Sequence, residues 1–128
     1  MNSEVESVTI PKSVKTIKKN AFRGCKNLRQ VACAEGSQLE KLGSGCFREA
    51  GVERVLIPKS VTEILERAFY ACGNLKEVAF EEGSSLQKIG AESFYMTGIK
   101  RVAIPKGITI IQCDAFCGCR SLKEVVFE

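Results

Sequence analysis

The sequence predicts an α/β repeat fold that is mainly β: a solenoid whose successive turns each add one strand to a parallel sheet of about six strands. The pattern apolar-x-x-Val-x-apolar, with a cysteine as the last residue of one copy, occurs six times. The starts of its copies are 23, 24, 23, 24 and 23 residues apart. A unit of this size cannot bury its own apolar face, so an array of such units must stack to make a core.

The six copies of the pattern are the predicted strands, at residues 5–10, 28–33, 52–57, 75–80, 99–104 and 122–127. Alternate strand residues point to opposite sides, so Val78 and Phe80 are predicted to point into the stack. Two unit types alternate with a period of 47 residues. In the odd units a proline follows the strand, at Pro11, Pro58 and Pro105. Since proline has no N–H, we expect strand pairing to end there.

The return segment of each unit carries two apolar residues three apart, then a small residue and a phenylalanine. In the third unit, Val61, Ile64 and Ala68 fit one face of a short helix, and residues 60–63 read Ser-x-x-Glu, a capping box. The same residues also fit an extended piece followed by one turn. In either case the phenylalanine rings are predicted to stack inside the solenoid. They are Phe22, Phe47, Phe69, Phe94 and Phe116.

Three recurring motifs resemble the BspA-like leucine-rich repeats of bacterial and protozoan surface proteins. They are Ile-Pro-Lys-Ser-Val, Ala-Phe-x-x-Cys-x-Asn-Leu and Glu-Gly-Ser-x-Leu-x-x-Ile/Leu-Gly, and they cover residues 5–128. The resemblance implies a right-handed leucine-rich-repeat solenoid at the cell surface, with a role in adhesion or protein binding and no catalytic residues. We therefore expect residues 1–128 to form a single solenoid of about five and a half repeats, within a longer array.

The composition argues against an enzyme. There is no histidine, which removes the commonest general base and the usual catalytic triads. No phosphate-binding glycine motif occurs either, and we predict no cofactor. Residues 1–20 lack the basic and apolar regions of a signal peptide, and no apolar run is long enough to span a membrane. A cytoplasmic location therefore stays open beside the cell surface.

The seven cysteines favour buried, reduced thiols. Cys25, Cys72 and Cys119 recur every 47 residues, which places them two turns apart, about 10 Å. Disulfides need Cα atoms within about 7 Å, so this ladder cannot cross-link itself. Cys33 and Cys46 occupy positions that are apolar in other units, and we expect both in the core.

Cys113 and Cys117 align with charged or polar residues of other units, so we expect them to face solvent, whereas Cys119 faces inward. Together the three could be taken as zinc ligands, but a closed zinc site needs four. A metal or redox protein built on these cysteines is therefore the weakest of three hypotheses.

Two outward-facing columns predict a binding face. The third strand position alternates in sign, which favours pairing between neighbouring strands and argues against a nucleic-acid partner, because a phosphate-binding face would be uniformly basic. The fifth position is small or apolar. An apolar strip with a charged rim resembles an interaction surface, although small residues could merely ease sheet curvature. The predicted face consists of Leu56, Ala79, Ala103 and Val126, rimmed by Arg54, Glu77, Arg101 and Glu124.

We therefore expect a non-enzymatic protein–protein interaction module. The resemblance points to adhesion to a host, extracellular-matrix or neighbouring-cell protein. An intracellular scaffold or adaptor is the alternative, favoured by the reduced cysteines. Both terminal strands would expose an edge, so we expect neighbouring repeats or a homodimer to cover them.

Overall fold

The computed structural model describes residues 4–128, which form a mainly β solenoid, as the sequence predicts. Each turn of the chain contributes one four-residue strand and, in the first five turns, one two-residue strand. The four-residue strands are β1 (Ser7–Ile10), β3 (Gln30–Cys33), β5 (Arg54–Ile57), β7 (Glu77–Phe80), β9 (Arg101–Ile104) and β11 (Glu124–Phe127). The two-residue strands are β2 (Thr16–Ile17), β4 (Lys41–Leu42), β6 (Glu63–Ile64), β8 (Lys88–Ile89) and β10 (Ile110–Ile111).

The four-residue strands are all parallel, but they do not form one continuous sheet. The first sheet has the order β1-β3-β5-β7, and β9 pairs separately with β11. From each odd unit to the next even unit, all four residues pair. From β3 to β5 only two residues pair, and β7 and β9 are neighbours without pairing. The predicted sheet of about six strands is thus weakened between β3 and β5, where only two residues pair, and interrupted between β7 and β9.

The prolines explain this alternation. At the three odd-to-even steps, the residue after the even strand donates its N–H to the last carbonyl of the odd strand. These bonds join Ala34 to Ile10, Glu81 to Ile57 and Glu128 to Ile104, each at 3.0 Å. At the even-to-odd steps Pro58 and Pro105 stand at the donor position. Because proline has no N–H, this bond cannot form, and the ends of the strands separate.

The return segments form a second parallel sheet in the order β10-β8-β6-β4-β2, and the short helix allowed by the sequence is absent from residues 4–128. The backbone N–H of Leu65 donates to Leu42 O in the preceding turn (2.9 Å). The Ser60 hydroxyl donates to Leu39 O (2.6 Å) and the Glu63 N–H donates to Glu40 O (3.3 Å), so residues 60–63 do not form a capping box. The extended alternative is therefore the one adopted. No helix in the described residues is long and apolar enough to cross a lipid bilayer.

The core is a continuous stack between the two sheets, with one phenylalanine in each of five turns. Neighbouring rings lie parallel, with centroids 5.3–5.4 Å apart and interplanar angles of 4–10°. The rings of Phe47, Phe69 and Phe94 are fully buried. The predicted phenylalanine stack is confirmed.

Candidate binding face

The outward side of the four-residue strands, here called the strand face, brings the predicted site residues together in two separate groups. On β5 and β7, Arg54 aligns with Glu77 and Leu56 with Ala79. On β9 and β11, Arg101 aligns with Glu124 and Ala103 with Val126. The gap between β7 and β9 lies between these groups. The strand face is thus two adjoining patches rather than one strip.

The first patch carries the more prominent apolar side chain. Leu56 is 56% exposed, although it stands in the middle of a sheet. Ala79, Ala103 and Val126 are less exposed than Leu56, and each is half-buried. An exposed leucine flanked by alanines gains nothing for the fold from its size, so Leu56 is the residue of this face best placed to contact a partner.

The charged residues of the two patches also differ, because in residues 4–128 they form an ion pair in the second patch and not in the first. Arg101 Nε donates to Glu124 Oε1 at 2.7 Å, so their charges neutralise each other. Arg54 and Glu77 are exposed and aligned, yet no ion pair within the described residues joins them. The first patch therefore offers a cation and an anion to a partner, whereas the second offers an internal pair.

A groove lies where the pairing of β3 and β5 ends. Its cavity volume is about 790 Å³, which is within the range of ligand pockets. Its apolar lining residues are Val31, Ala32, Cys33, Ala34, Val55, Leu56, Pro58 and Ala79. Its charged lining residues are Glu35, Arg54, Lys59, Glu77 and Glu81. Glu81 Oε1 accepts a hydrogen bond from the backbone N–H of Lys59 (2.8 Å) and so joins the rim of β5 to that of β7. The first patch of the strand face is one wall of this groove.

The structure corrects the prediction for Cys33. The sequence places this residue in the core, whereas it is half-buried: it packs against the core and also lines the groove. Burial raises the pKa of the Cys33 thiol, the nearby Glu81 carboxylate raises it further, and a hydrogen bond with Ser37 lowers it. Cys33 is therefore accessible but mainly protonated at neutral pH. The missed signal was Pro58 in the next turn, which opens the sheet beside Cys33.

The other six cysteines are buried (Cys25, Cys46 and Cys72), exposed or half-buried. Cys46 and Cys72 are fully buried, and desolvation raises the pKa of each thiol to about 12. Cys113 and Cys117 are exposed, as predicted, and Cys119 is half-buried with Sγ donating to Phe94 O (3.0 Å). All seven cysteines lie in the described part of the chain, and none is in a disulfide.

Within residues 4–128 there is no cluster of three or more cysteine, aspartate or glutamate side chains placed to hold a metal ion. The cysteine-based metal site considered from the sequence therefore gains no support from this geometry.

Solved structures with the same fold come from bacterial proteins. The pneumococcal vaccine antigen PcpA superposes with a TM-score of 0.93 at 32% identity, over 96% of this chain and 30% of that protein. A leucine-rich repeat protein of Eubacterium ventriosum gives 0.82 at 21% identity, over 97% and 32%. A leucine-rich cell surface protein of Faecalibacterium prausnitzii gives 0.65 at 26%, over 94% and 38%. The chain thus spans about a third of each of these proteins.

A search of curated protein sequences finds no match to the chain. The family comparison does find one: six copies of the BspA type leucine rich repeat match residues 1–125. The alternating proline and glycine turns, the stacked phenylalanines and the parallel strand ladders of this solenoid are the structural form of those copies. The chain belongs to the BspA-type leucine-rich repeat family.

Proposed function

We infer that this chain is a non-enzymatic module that binds a protein through the strand face, and that it serves to attach a cell to a host, matrix or neighbouring-cell protein. The observation that carries the proposal is Leu56, an apolar side chain 56% exposed at the centre of a sheet and set beside Arg54 and Glu77, which lack a partner in any ion pair of the described residues. Membership of a repeat family typical of protein interaction supports the binding role.

Adhesion draws support from the names of the solved relatives. One is called a leucine-rich cell surface protein and another a vaccine antigen. The charge pattern of the strand face also favours a protein over a nucleic acid. Along the sheet, Gln30, Arg54 and Glu77 stand in register, so cations alternate with neutral and acidic residues. A phosphate backbone would meet repulsion at every acidic position.

An intracellular scaffold that uses the same face is the second candidate. It is favoured by the thiols of Cys46 and Cys72, which are fully buried and form no disulfide. Disulfides persist in oxidising compartments and are rare in the cytosol. The two candidates therefore differ in the compartment of the partner and not in the surface that binds it.

The test is a capture experiment with the purified chain, run against purified extracellular-matrix and cell-surface proteins and separately against cytosolic lysate. The double variant Leu56→Glu/Ala103→Glu charges the strand face. The matched control, Thr16→Glu/Ile110→Glu, adds the same two charges to exposed positions of the second sheet, where they align with Lys41 and Lys88.

Capture of a surface protein that only the strand-face variant loses would support adhesion through this face. Capture from lysate alone, lost in the same variant, would support the scaffold. If both variants bind like the unmodified chain, the strand face is not the binding site and the proposal fails.

Self-association is a separate prediction. At the C-terminal end of the described residues, inward-facing apolar side chains are exposed at Ile111 (41%), Val125 (40%) and Phe127 (64%). A homodimer that covers them would exclude this area from water and so gain free energy. Light scattering at increasing protein concentration would show the mass doubling, and a constant monomer mass at high concentration would exclude the dimer.

A further inference from the structure

The two even-to-odd steps of the solenoid differ in one side chain. Cys33 and Phe80 are the last residues of β3 and β7, they stand 47 residues apart at equivalent positions, and both are half-buried beside an interrupted strand pairing. At the second step the position holds the aromatic ring of Phe80. At the first step it holds only the thiol of Cys33, and the groove is found there. The repeat therefore accommodates an aromatic ring at this position of the second step.

The lining of the groove suits an aromatic group in an extended chain. Its lining includes three small residues, Ala32, Ala34 and Ala79, together with the exposed side chain of Leu56. Small residues leave room for a flat ring, and the leucine provides an apolar surface to pack against it. A volume of about 790 Å³ is more than one ring needs, so the groove also has room for the neighbouring residues of the segment that carries the ring.

The charges of the groove favour one kind of residue next to the aromatic residue of a partner. Three carboxylates, Glu35, Glu77 and Glu81, face two cations, Arg54 and Lys59. The excess of one negative charge complements a single basic residue. A strongly acidic segment would be repelled, because the carboxylates lie both at the start of β7 and at the turns that follow the strands.

We propose that the groove between β3 and β5 is a socket for one aromatic side chain of an extended protein segment, with a basic residue next to the aromatic one. This inference rests on the proposed protein-binding function and names the chemistry of the partner. Cys33, Leu56, Glu77 and Glu81 all line the socket.

The probe is a blocked hexapeptide with a central phenylalanine followed by lysine, compared with a peptide in which alanine replaces the phenylalanine. Binding is followed by the backbone amide resonances of the full chain. We expect the phenylalanine peptide to shift Ala32, Leu56 and Ala79 and to bind at least tenfold more tightly than the alanine peptide. Shifts confined to the second sheet would overturn the proposal.

The matched variants are Cys33→Phe, which places a ring where Phe80 has one, and Cys33→Ser, which keeps the groove open. We expect Cys33→Phe to weaken peptide binding at least tenfold and Cys33→Ser to change it less than twofold. Equal binding by both variants would overturn the socket. If Leu56 resonances move with protein concentration and not with peptide, a second copy of the chain occupies the groove and the proposal is also wrong.

A second measurement covers the case in which Cys33→Phe does not fold. Alkylation of the unmodified chain is mapped by mass spectrometry with and without the phenylalanine peptide. We expect the peptide to slow the reaction of Cys33 at least threefold and to leave the exposed Cys113 unchanged. Equal rates at Cys33 would overturn the socket. If capture still depends on Leu56 in that case, the protein-binding function stands without it.

Discussion

Close approach of successive turns depends on glycines, and Gly51 gives the sharpest test of the stacking. A β-carbon at Gly51 would lie 2.1 Å from the backbone oxygen of Lys26, whereas ordinary contacts are 3.4 Å or longer. The two turns would therefore have to separate by more than 1 Å. That movement would also strain the hydrogen bond from the Gly51 N–H to Cys25 O (3.1 Å).

We expect Gly51→Ala to lower the free energy of unfolding by about 2–4 kcal/mol, the sum of an overpacking cost and one weakened backbone hydrogen bond. The matched control is Gly73→Ala, because a β-carbon at Gly73 meets no atom within 4 Å. At this open site the change should be within about 1 kcal/mol and can be favourable, since alanine reduces the entropy of the unfolded chain.

Urea unfolding followed by circular dichroism measures both variants, with stabilities taken from linear extrapolation. The reasoning about turn spacing would be refuted if Gly51→Ala were no more destabilising than Gly73→Ala.

Three further predictions concern the core, the charges and the thiols. Phe69→Ala removes a fully buried ring that is stacked on both sides, so the free energy of unfolding measured by calorimetry should fall by about 3–5 kcal/mol. A fall of less than about 1 kcal/mol would contradict the contribution of the stack to stability. Arg101→Ala removes an ion pair whose side chains are 60% and 58% exposed, so the free energy of unfolding measured in urea should change by less than about 1 kcal/mol. A larger change would contradict the screening of this ion pair by solvent. At pH 8 iodoacetamide should modify Cys113 well before Cys72, whose pKa is raised to about 12 by burial, while equal rates would show that Cys72 is not buried. The Cys46 and Cys72 thiols, both with a pKa raised to about 12, give a contribution to stability that is fully present below their ordinary pKa of 9.0. It is lost as the pH rises towards 12, so urea midpoints should fall over that range.

The register of the strands could be predicted from the sequence because the repeat length leaves little freedom. Units of nearly constant size place Arg54 beside Glu77 and Arg101 beside Glu124, and the structure confirms both alignments. The phenylalanine stack follows from the same period. These features depend on spacing along the chain, which a sequence shows directly.

The return segments could not be assigned, because apolar residues three apart suit a helix and an extended piece equally. What decides is the destination of the backbone hydrogen bonds. Leu65 donates to Leu42 in the turn before it, a partner 23 residues away, and a local pattern cannot reveal such a bond. Some turns of the chain could not be predicted for a related reason. Arg67 and Glu92 adopt positive φ of 56° and 53° in turns, although this conformation usually selects glycine or asparagine.

The groove was missed for a third reason. The prolines were expected to end strand pairing, and they do, but the consequence falls on the preceding unit. Pro58 removes the donor that would have bonded the end of β3, and so Cys33, which precedes Pro58 by 25 residues, becomes half-buried. A sequence pattern assigns such an effect to the proline itself and not to its neighbour in space.

The most direct test of the central claim is hydrogen exchange of the chain with and without the protein recovered by capture. Binding through the strand face should slow amide exchange in β3, β5 and β7 and in the turn at residues 34–37, and leave the second sheet unchanged. Slower amide exchange confined to the second sheet, or to the turns that carry the stacked phenylalanines, would contradict the account. The partner would then bind a surface other than the one that carries Leu56.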